Sequence, residues 1–89
     1  MKKVRTQKEL GHHQFICPGC QCEHNIDSRW SYNDNPEKPT FRPSYLLKGS
    51  YNNKHDQVCH SFITDGQIKF LNDCTHELKG QTVELPEID

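Results

Sequence analysis

The chain has 89 residues, of which 31% are apolar, and its formal net charge is −1. This length allows one domain, and so small an apolar content predicts a staple, either disulfides or a structural metal. The near-zero charge argues against nucleic-acid binding, and no apolar stretch reaches the length of a membrane span. The N-terminus lacks the apolar run of a signal peptide. This favours the cytoplasm, where the five cysteines stay reduced and available to a metal.

The N-terminal region divides into a basic arm and the start of the domain. Residues 1–12 are polar and basic, and we expect a flexible arm there, followed by a single zinc-binding β domain over residues 13–89. Residues 13–17 favour a short strand. That strand delivers Cys17 to a tight turn that ends at Cys20.

The turn reads Cys17-Pro18-Gly19-Cys20 and is the strongest local signal in the chain. Two thiolates at this spacing can each lie about 2.3 Å from one Zn²⁺, and proline and glycine suit the bend of a zinc knuckle. A thioredoxin-like redox turn is the competing interpretation. It would begin a helix, however, and residues 21–25 have no helical pattern. We therefore predict metal binding here rather than redox chemistry.

The middle of the chain is predicted to be extended. Trp30 lies in a short strand and is expected to cover the small core. Residues 36–44 contain three prolines, which exclude a helix and predict a stiff crossover. Such a segment could present Thr40, Arg42 and Ser44 to a ligand, but we interpret it as scaffold.

A predicted strand over residues 45–51 precedes the segment that organises the fold, a β-hairpin. Asp65-Gly66 is a strong signal for a two-residue type I′ turn, because both central residues of that turn need positive φ. Strand alternation then places Cys59 on the inward face and His60 on the outward face. The predicted pairs are Ile63 with Ile68, Ser61 with Phe70 and Cys59 with Asn72.

The C-terminal region completes the predicted fold. Asp73 is a suitable cap for a short helical turn over residues 74–79, which Gly80 ends, and residues 81–86 alternate as a last strand. The fold class predicted for the whole chain is a small all-β, metal-stapled, zinc-ribbon-like domain with one short helical turn.

One structural Zn²⁺ is the predicted cofactor. Cys17 and Cys20 provide half of a tetrahedral site, and Cys59 and Cys74 meet at the open end of the hairpin as its natural other half. His76 competes for a ligand position, because Cys-x-His on a tight turn can also bind one ion. The candidate metal ligands are therefore Cys17, Cys20, Cys59, Cys74 and His76.

The chain also resembles a family of small phage and prophage proteins of mostly unknown function. The resemblance covers about residues 14–85. The ordered motifs that carry it are Cys17-Pro18-Gly19-Cys20, His24, Trp30, Pro39-Thr40-Phe41-Arg42-Pro43-Ser44, Cys59-His60-Ser61-Phe62-Ile63-Thr64-Asp65-Gly66 and Asp73-Cys74-Thr75-His76. Members are sometimes labelled ammonia monooxygenase, a misnomer for so short a chain without a membrane span. The resemblance implies a bacterial host and relatives encoded near ubiquitin-like conjugation systems. Cys22 departs from the family, which commonly has glycine there, so a metal role for Cys22 is not expected.

Two functions from different classes follow. The favoured one is a phage-type protein-interaction module with a structural metal, which binds a host or phage protein and has no catalytic residue. The alternative is a metal-dependent hydrolase, in which His24, His60, Asp73 and His76 form an open site with a bound water. If the metal site is closed, as in the interaction-module hypothesis, His24 would be a metal ligand or would donate a hydrogen bond to one. A Cys59–His76 nucleophile pair is a variant of the hydrolase.

Overall fold

The computed structural model describes residues 2–9, 11–51 and 54–88. These residues form the following strands: β1 (Arg5–Gln7), β2 (His12–Cys17), β3 (Cys22–Ile26), β4 (Ser31–Tyr32), β5 (Phe41–Tyr51), β6 (Lys54–Thr64), β7 (Gln67–Phe70) and β8 (Thr82–Glu84). No helix occurs within the described ranges. Strands β1–β3 form a three-stranded sheet, and β4–β8 form a five-stranded sheet in chain order. All neighbouring strands are antiparallel. The prediction of a small all-β domain is confirmed.

The core is built from the inward faces of both sheets. The fully buried side chains include Phe15 and Ile26 from the first sheet, and Phe41 and Phe70 from the second. Tyr45 on β5 joins the two sheets, because its ring lies edge-on to Phe15 with 5.7 Å between centroids. Aromatic rings thus supply much of the buried area that a chain with few apolar residues can offer.

The segment predicted to be a flexible arm contributes to this domain. Val4 is buried, and β1 pairs with β2. Lys3, just before β1, donates a hydrogen bond from Nζ to the carboxylate of Glu84 in β8 at 2.6 Å. This segment therefore pairs with the first sheet through β1 and contacts the C-terminal strand through Lys3.

The predicted hairpin is β6–β7. Its turn has φ of 50° at Asp65 and 80° at Gly66, as the type I′ prediction requires. Both inner pairs, Ile63 with Ile68 and Ser61 with Phe70, are confirmed. The outer pair of Cys59 with Asn72 is wrong, because the ladder ends at Phe70, and Leu71 N–H instead donates to the His60 carbonyl at 2.9 Å.

The first part of β5 contains an irregularity. Phe41 faces Ile63 and Tyr45 faces Ser61, so four steps along β5 correspond to two along β6. The residues that bulge out of the ladder are Arg42, Pro43 and Ser44. A proline has no N–H to donate to the ladder, and bulges are among the few places in a sheet where it fits. β5 therefore begins earlier than the predicted strand over residues 45–51.

The chain after β7 makes turns where a helical turn was predicted. Thr75 N–H donates to the Val58 carbonyl at 3.0 Å, so the start of this segment is bonded to β6. Two tight turns follow, closed by bonds from Lys79 N–H to the His76 carbonyl and from Gln81 N–H to the Leu78 carbonyl.

The described parts of the chain include no helix that could cross a membrane.

Candidate active site and metal centre

Residues from both sheets meet in a buried cluster of possible metal ligands. The ligand atoms of Cys17, Cys20, His24 and Cys59 all lie within 4.8 Å of one another. Strand β2 ends at Cys17, β3 carries His24 and β6 carries Cys59, while the knuckle turn supplies Cys20. The Sγ atoms of Cys17 and Cys59 are 3.7 Å apart. Two sulfurs about 2.3 Å from one tetrahedral ion would lie roughly 3.8 Å apart.

The chemistry of these groups fits a bound cation. Hydrogen bonding to the Cys20 side chain, followed by burial, raises the pKa of Cys17 to about 12. Hydrogen bonds with Cys17 and Cys20, followed by burial, raise the pKa of Cys59 well above its usual range. A coordinating metal reverses this preference, because it deprotonates thiol ligands outright. Three sulfurs and one imidazole nitrogen would fill all four positions of a tetrahedral site.

The predicted ligands divide into two groups. Those that the structure brings together are Cys17, Cys20 and Cys59. Cys74 and His76 lie outside the cluster, in which His24 offers the fourth possible ligand atom. His24 is nearly fully buried and its ring stacks on Tyr45, with 5.3 Å between centroids. Strand alternation explains its place, because His24 and Ile26 share the buried face of β3.

His76 packs against the outside of the knuckle. A Cβ atom on Gly19 would lie only 2.2 Å from Cε1 of the His76 ring, so the ring rests directly on the glycine backbone. Leu78 N–H donates to His76 Nδ1 at 3.2 Å, and burial lowers the pKa of the ring. His76 Nε2 is buried and has no hydrogen-bond partner within the described residues. His76 is therefore held as a neutral imidazole beside the cluster.

Three polar side chains meet on the opposite, outward face of the five-stranded sheet. Ser44 Oγ lies 3.0 Å from His60 Nε2. His60 Nδ1 lies 3.0 Å from an Asp73 carboxylate oxygen. The His60 side chain is 24% exposed and Asp73 is 53% exposed, so a substrate could reach this site from solvent.

The partners of His60 fix its tautomer. An ionised carboxylate can only accept hydrogen bonds, so Nδ1 of His60 donates to Asp73. In the neutral ring Nε2 is then the acceptor, and it receives the hydroxyl proton of Ser44. A serine that donates to a histidine, which in turn donates to a carboxylate, is the hydrogen-bond order of a catalytic triad.

Each member of this triad is held by a specific feature of the fold. The bulge in β5 ends at Ser44, whose carbonyl accepts a 3.4 Å hydrogen bond from Trp30 Nε1. The Cys74 thiol is bonded to the backbone of His60, accepting from N–H and donating to C=O, both at 3.2 Å. Because Asp73 immediately precedes Cys74, these two bonds bring the carboxylate to the imidazole. The Cys74 thiol, which is also a predicted metal ligand, thus helps to position the triad.

Sequence reasoning missed this triad. It placed His60 correctly on the outward face, but it grouped His60 and Asp73 with metal ligands and treated Ser44 as scaffold. The available signal was that Ser44 follows a proline-rich stretch next to a predicted strand. The bulge that aims Ser44 at His60 is a tertiary feature with no period in the sequence.

By its geometry, the site belongs to the class of proteins with a Ser-His-Asp triad. A buried cluster of cysteines and a histidine lies on the other face of the same sheet. The chain belongs to the family of BubE, the bacterial ubiquitination-like system serine protease, whose family model matches residues 2–71. The matched region includes Ser44 and His60, and Asp73 lies two residues beyond it. Searches of curated proteins and of solved structures found no match.

Proposed function

We propose that this protein is a serine protease of a bacterial ubiquitination-like system, with Ser44 as its nucleophile. The observation that carries the proposal is the pair of 3.0 Å contacts that link Ser44 to His60 and His60 to Asp73. Membership of the BubE family supports it, because that family is described as a serine protease of such a system. The protein partner predicted from the sequence is then its substrate, a ubiquitin-like protein or one of its conjugates.

The geometry suits a two-stage acyl transfer. Ser44 Oγ attacks the scissile carbonyl carbon while His60 Nε2 takes the hydroxyl proton. The protonated His60 then gives that proton to the leaving amine as the C–N bond breaks, which leaves an ester on Ser44. Water hydrolyses this ester by the same proton route and releases a carboxylic acid. Asp73 holds the imidazole in its tautomer and stabilises the imidazolium in both stages.

The surface around the triad suits a peptide substrate. Leu46 pairs with His60 across the ladder, and Phe62 follows His60 by two residues on the same face of β6. These are the large apolar side chains that the described surface exposes, at 46% and 36% respectively. Exposed apolar side chains on both sides of a reactive group are typical of a surface that binds another chain.

We propose that the buried cluster holds one structural Zn²⁺ in a closed site. Its four protein ligands would leave no position for a catalytic water. Zinc fits the sulfur-rich donor set, and its binding would supply folding free energy that this small core lacks. The proposed compartment is the bacterial cytoplasm, where the thiols stay reduced. Phage or prophage origin stays a prediction.

The second candidate function is a metal-dependent hydrolase. The orientation of two neighbouring residues in β6 disfavours it. Cys59 and His60 point to opposite faces of β6, so the clustered ligands and the His60–Asp73 pair do not share an ion. The sequence predicted a protein-interaction module. In this proposal, the protein that it binds is the ubiquitin-like substrate.

The experiment is cleavage of a ubiquitin-like protein from a bacterial ubiquitination-like system, extended at its C-terminus by a short peptide. We expect Ser44→Ala to slow cleavage roughly 1,000-fold or more, as removal of a triad serine does elsewhere. Ser28→Ala is the matched control, because Ser28 is an exposed serine in the turn between β3 and β4. Both variants should keep the wild-type metal content and melting temperature. Unchanged cleavage by folded Ser44→Ala would overturn the proposal.

A further inference from the structure

A groove lies on the same sheet face as the triad. Its volume is about 340 Å³, and Arg42, Phe62 and Lys69 are among its lining residues. Arg42 precedes Ser44 by two residues and Phe62 follows His60 by two. Two residues of a regular strand such as β6 span roughly 7 Å, so the Phe62 side of the groove begins one or two substrate residues away from the scissile bond.

Arg42 is fixed in position at this groove. Its Nη1 donates to the carbonyls of Phe41 at 2.8 Å and Ile63 at 3.0 Å, and its Nη2 donates to Thr64 Oγ1 at 2.8 Å. The guanidinium also lies over the Phe62 ring, 5.7 Å from its centroid. These bonds use three of the five N–H donors of the guanidinium and leave two for a ligand. An immobilised arginine loses little further side-chain entropy on binding.

The charges of the groove favour an anion. Arg42 makes no ion pair with a carboxylate of the described residues. The other charged lining residues are Lys69 and Asp65, so the groove carries one net positive charge. Arginine is suited to carboxylates because its planar fork matches their two oxygens.

We propose that this groove, anchored by Arg42, binds a carboxylate of the substrate one or two residues from the scissile bond. The carboxylate is an Asp or Glu side chain or a C-terminal carboxylate, and Phe62 supports the apolar carbon atoms beside it. The inference deepens the proposed protease function, because it assigns an acidic specificity to the same face. It requires only that a peptide binds there, so binding and cleavage can be tested separately.

The test uses ¹⁵N-labelled Ser44→Ala protein, loaded with its metal, and pairs of capped hexapeptides. Within a pair the peptides differ only by Glu or Gln at one position, and a third peptide carries its carboxylate at the C-terminus. We expect the Glu peptide to shift the Arg42 Nε–H resonance and to bind roughly tenfold more tightly than its Gln twin, as a charge-assisted hydrogen bond implies. Binding of the third peptide tests whether the groove also accepts a C-terminal carboxylate.

Two substitutions sharpen the test. Arg42→Gln should bring the Glu to Gln affinity ratio to about one, and Arg42→Lys should keep part of it. Asp65→Asn should raise the ratio, since it removes the opposing carboxylate, and asparagine tolerates the positive φ of this turn. Asp65→Asn leaves the bonds of Arg42 intact, so a raised ratio in this variant reports the charge of the groove and not a displaced arginine.

The outcomes separate the two proposals. Equal binding of Glu and Gln peptides to folded protein, or a ratio unaffected by Arg42→Gln, would overturn the carboxylate groove whatever the cleavage assay shows. Selective binding at Arg42 would support the groove even if wild-type protein cleaves nothing. In that case the protease proposal fails alone.

Discussion

Cys59 and His60 are neighbours in β6, yet their side chains belong to two different centres. Cys59 is fully buried, with its sulfur 3.7 Å from that of Cys17. His60 lies on the outward face, 3.0 Å from Ser44. Because successive residues of a strand point to opposite faces, β6 contributes to the cluster of possible metal ligands and to the triad at adjacent positions.

Substitutions at these two positions should therefore have different effects. Cys59→Ser removes a ligand from the cluster, and we expect loss of the metal with most of the fold, since metal binding supplies about 10 kcal/mol or more in zinc-dependent domains. His60→Ala should keep the metal and the fold but lose activity. Elemental analysis and thermal unfolding of both variants check this. Metal loss from folded His60→Ala would contradict the separation of the two centres.

Asp73→Asn should slow acylation of Ser44 while leaving the metal in place. An asparagine can present its N–H₂ to Nδ1 and so favour the wrong tautomer of His60, which costs about 10⁴-fold in a triad with a buried aspartate. Asp73 is 53% exposed, and solvent weakens such a pair. We therefore expect a smaller loss, about 10- to 1,000-fold, in the rate at which a fluorophosphonate labels Ser44. An unchanged rate would remove Asp73 from the triad.

Cys74 distinguishes the predicted four-cysteine site from the cluster in the structure. Cys74→Ala leaves the His60 N–H without its sulfur acceptor, which should cost about 1–3 kcal/mol of unfolding free energy and slow labelling of Ser44. The metal content should not change. Cys74→Ser restores a donor and an acceptor, and it should recover part of both losses. Loss of metal from either folded variant would show that Cys74 is a ligand.

The fourth ligand can be identified by a matched pair of histidine variants. His24→Ala should weaken metal binding by more than the roughly 10- to 100-fold that loss of an outer-shell partner costs. His76→Ala should keep the metal and lose the packing of its ring against Gly19 and Phe70, together with the hydrogen bond from Leu78 N–H. Competition with a chelator measures both affinities. If His76→Ala weakens metal binding more than His24→Ala does, the fourth ligand is His76, as predicted from the sequence.

Local signals in the sequence predicted a large part of this architecture. Asp65-Gly66 fixed the hairpin register, and period-two alternation placed Cys59 inward and His60 outward. The knuckle at Cys17 and Cys20 followed from spacing alone. These features depend on neighbouring residues, which a sequence displays directly.

The remaining features depend on how distant segments meet. Ser44 reaches His60 only because β5 bulges by two residues opposite β6. Asp73 reaches it because the following segment bonds to β6 and does not form a helical turn. Neither contact follows from a periodic pattern of residues. His60 and Asp73 were therefore considered only for the open metal site of the alternative hydrolase, and Ser44 was interpreted as scaffold.

The most direct test is native mass spectrometry of the metal-loaded protein after reaction with a fluorophosphonate, followed by peptide mapping. We expect one adduct per chain, located on Ser44, on molecules that still carry one metal ion. An adduct on another residue, or no adduct on folded and metal-loaded protein, would contradict the assignment of Ser44, His60 and Asp73 as a catalytic triad.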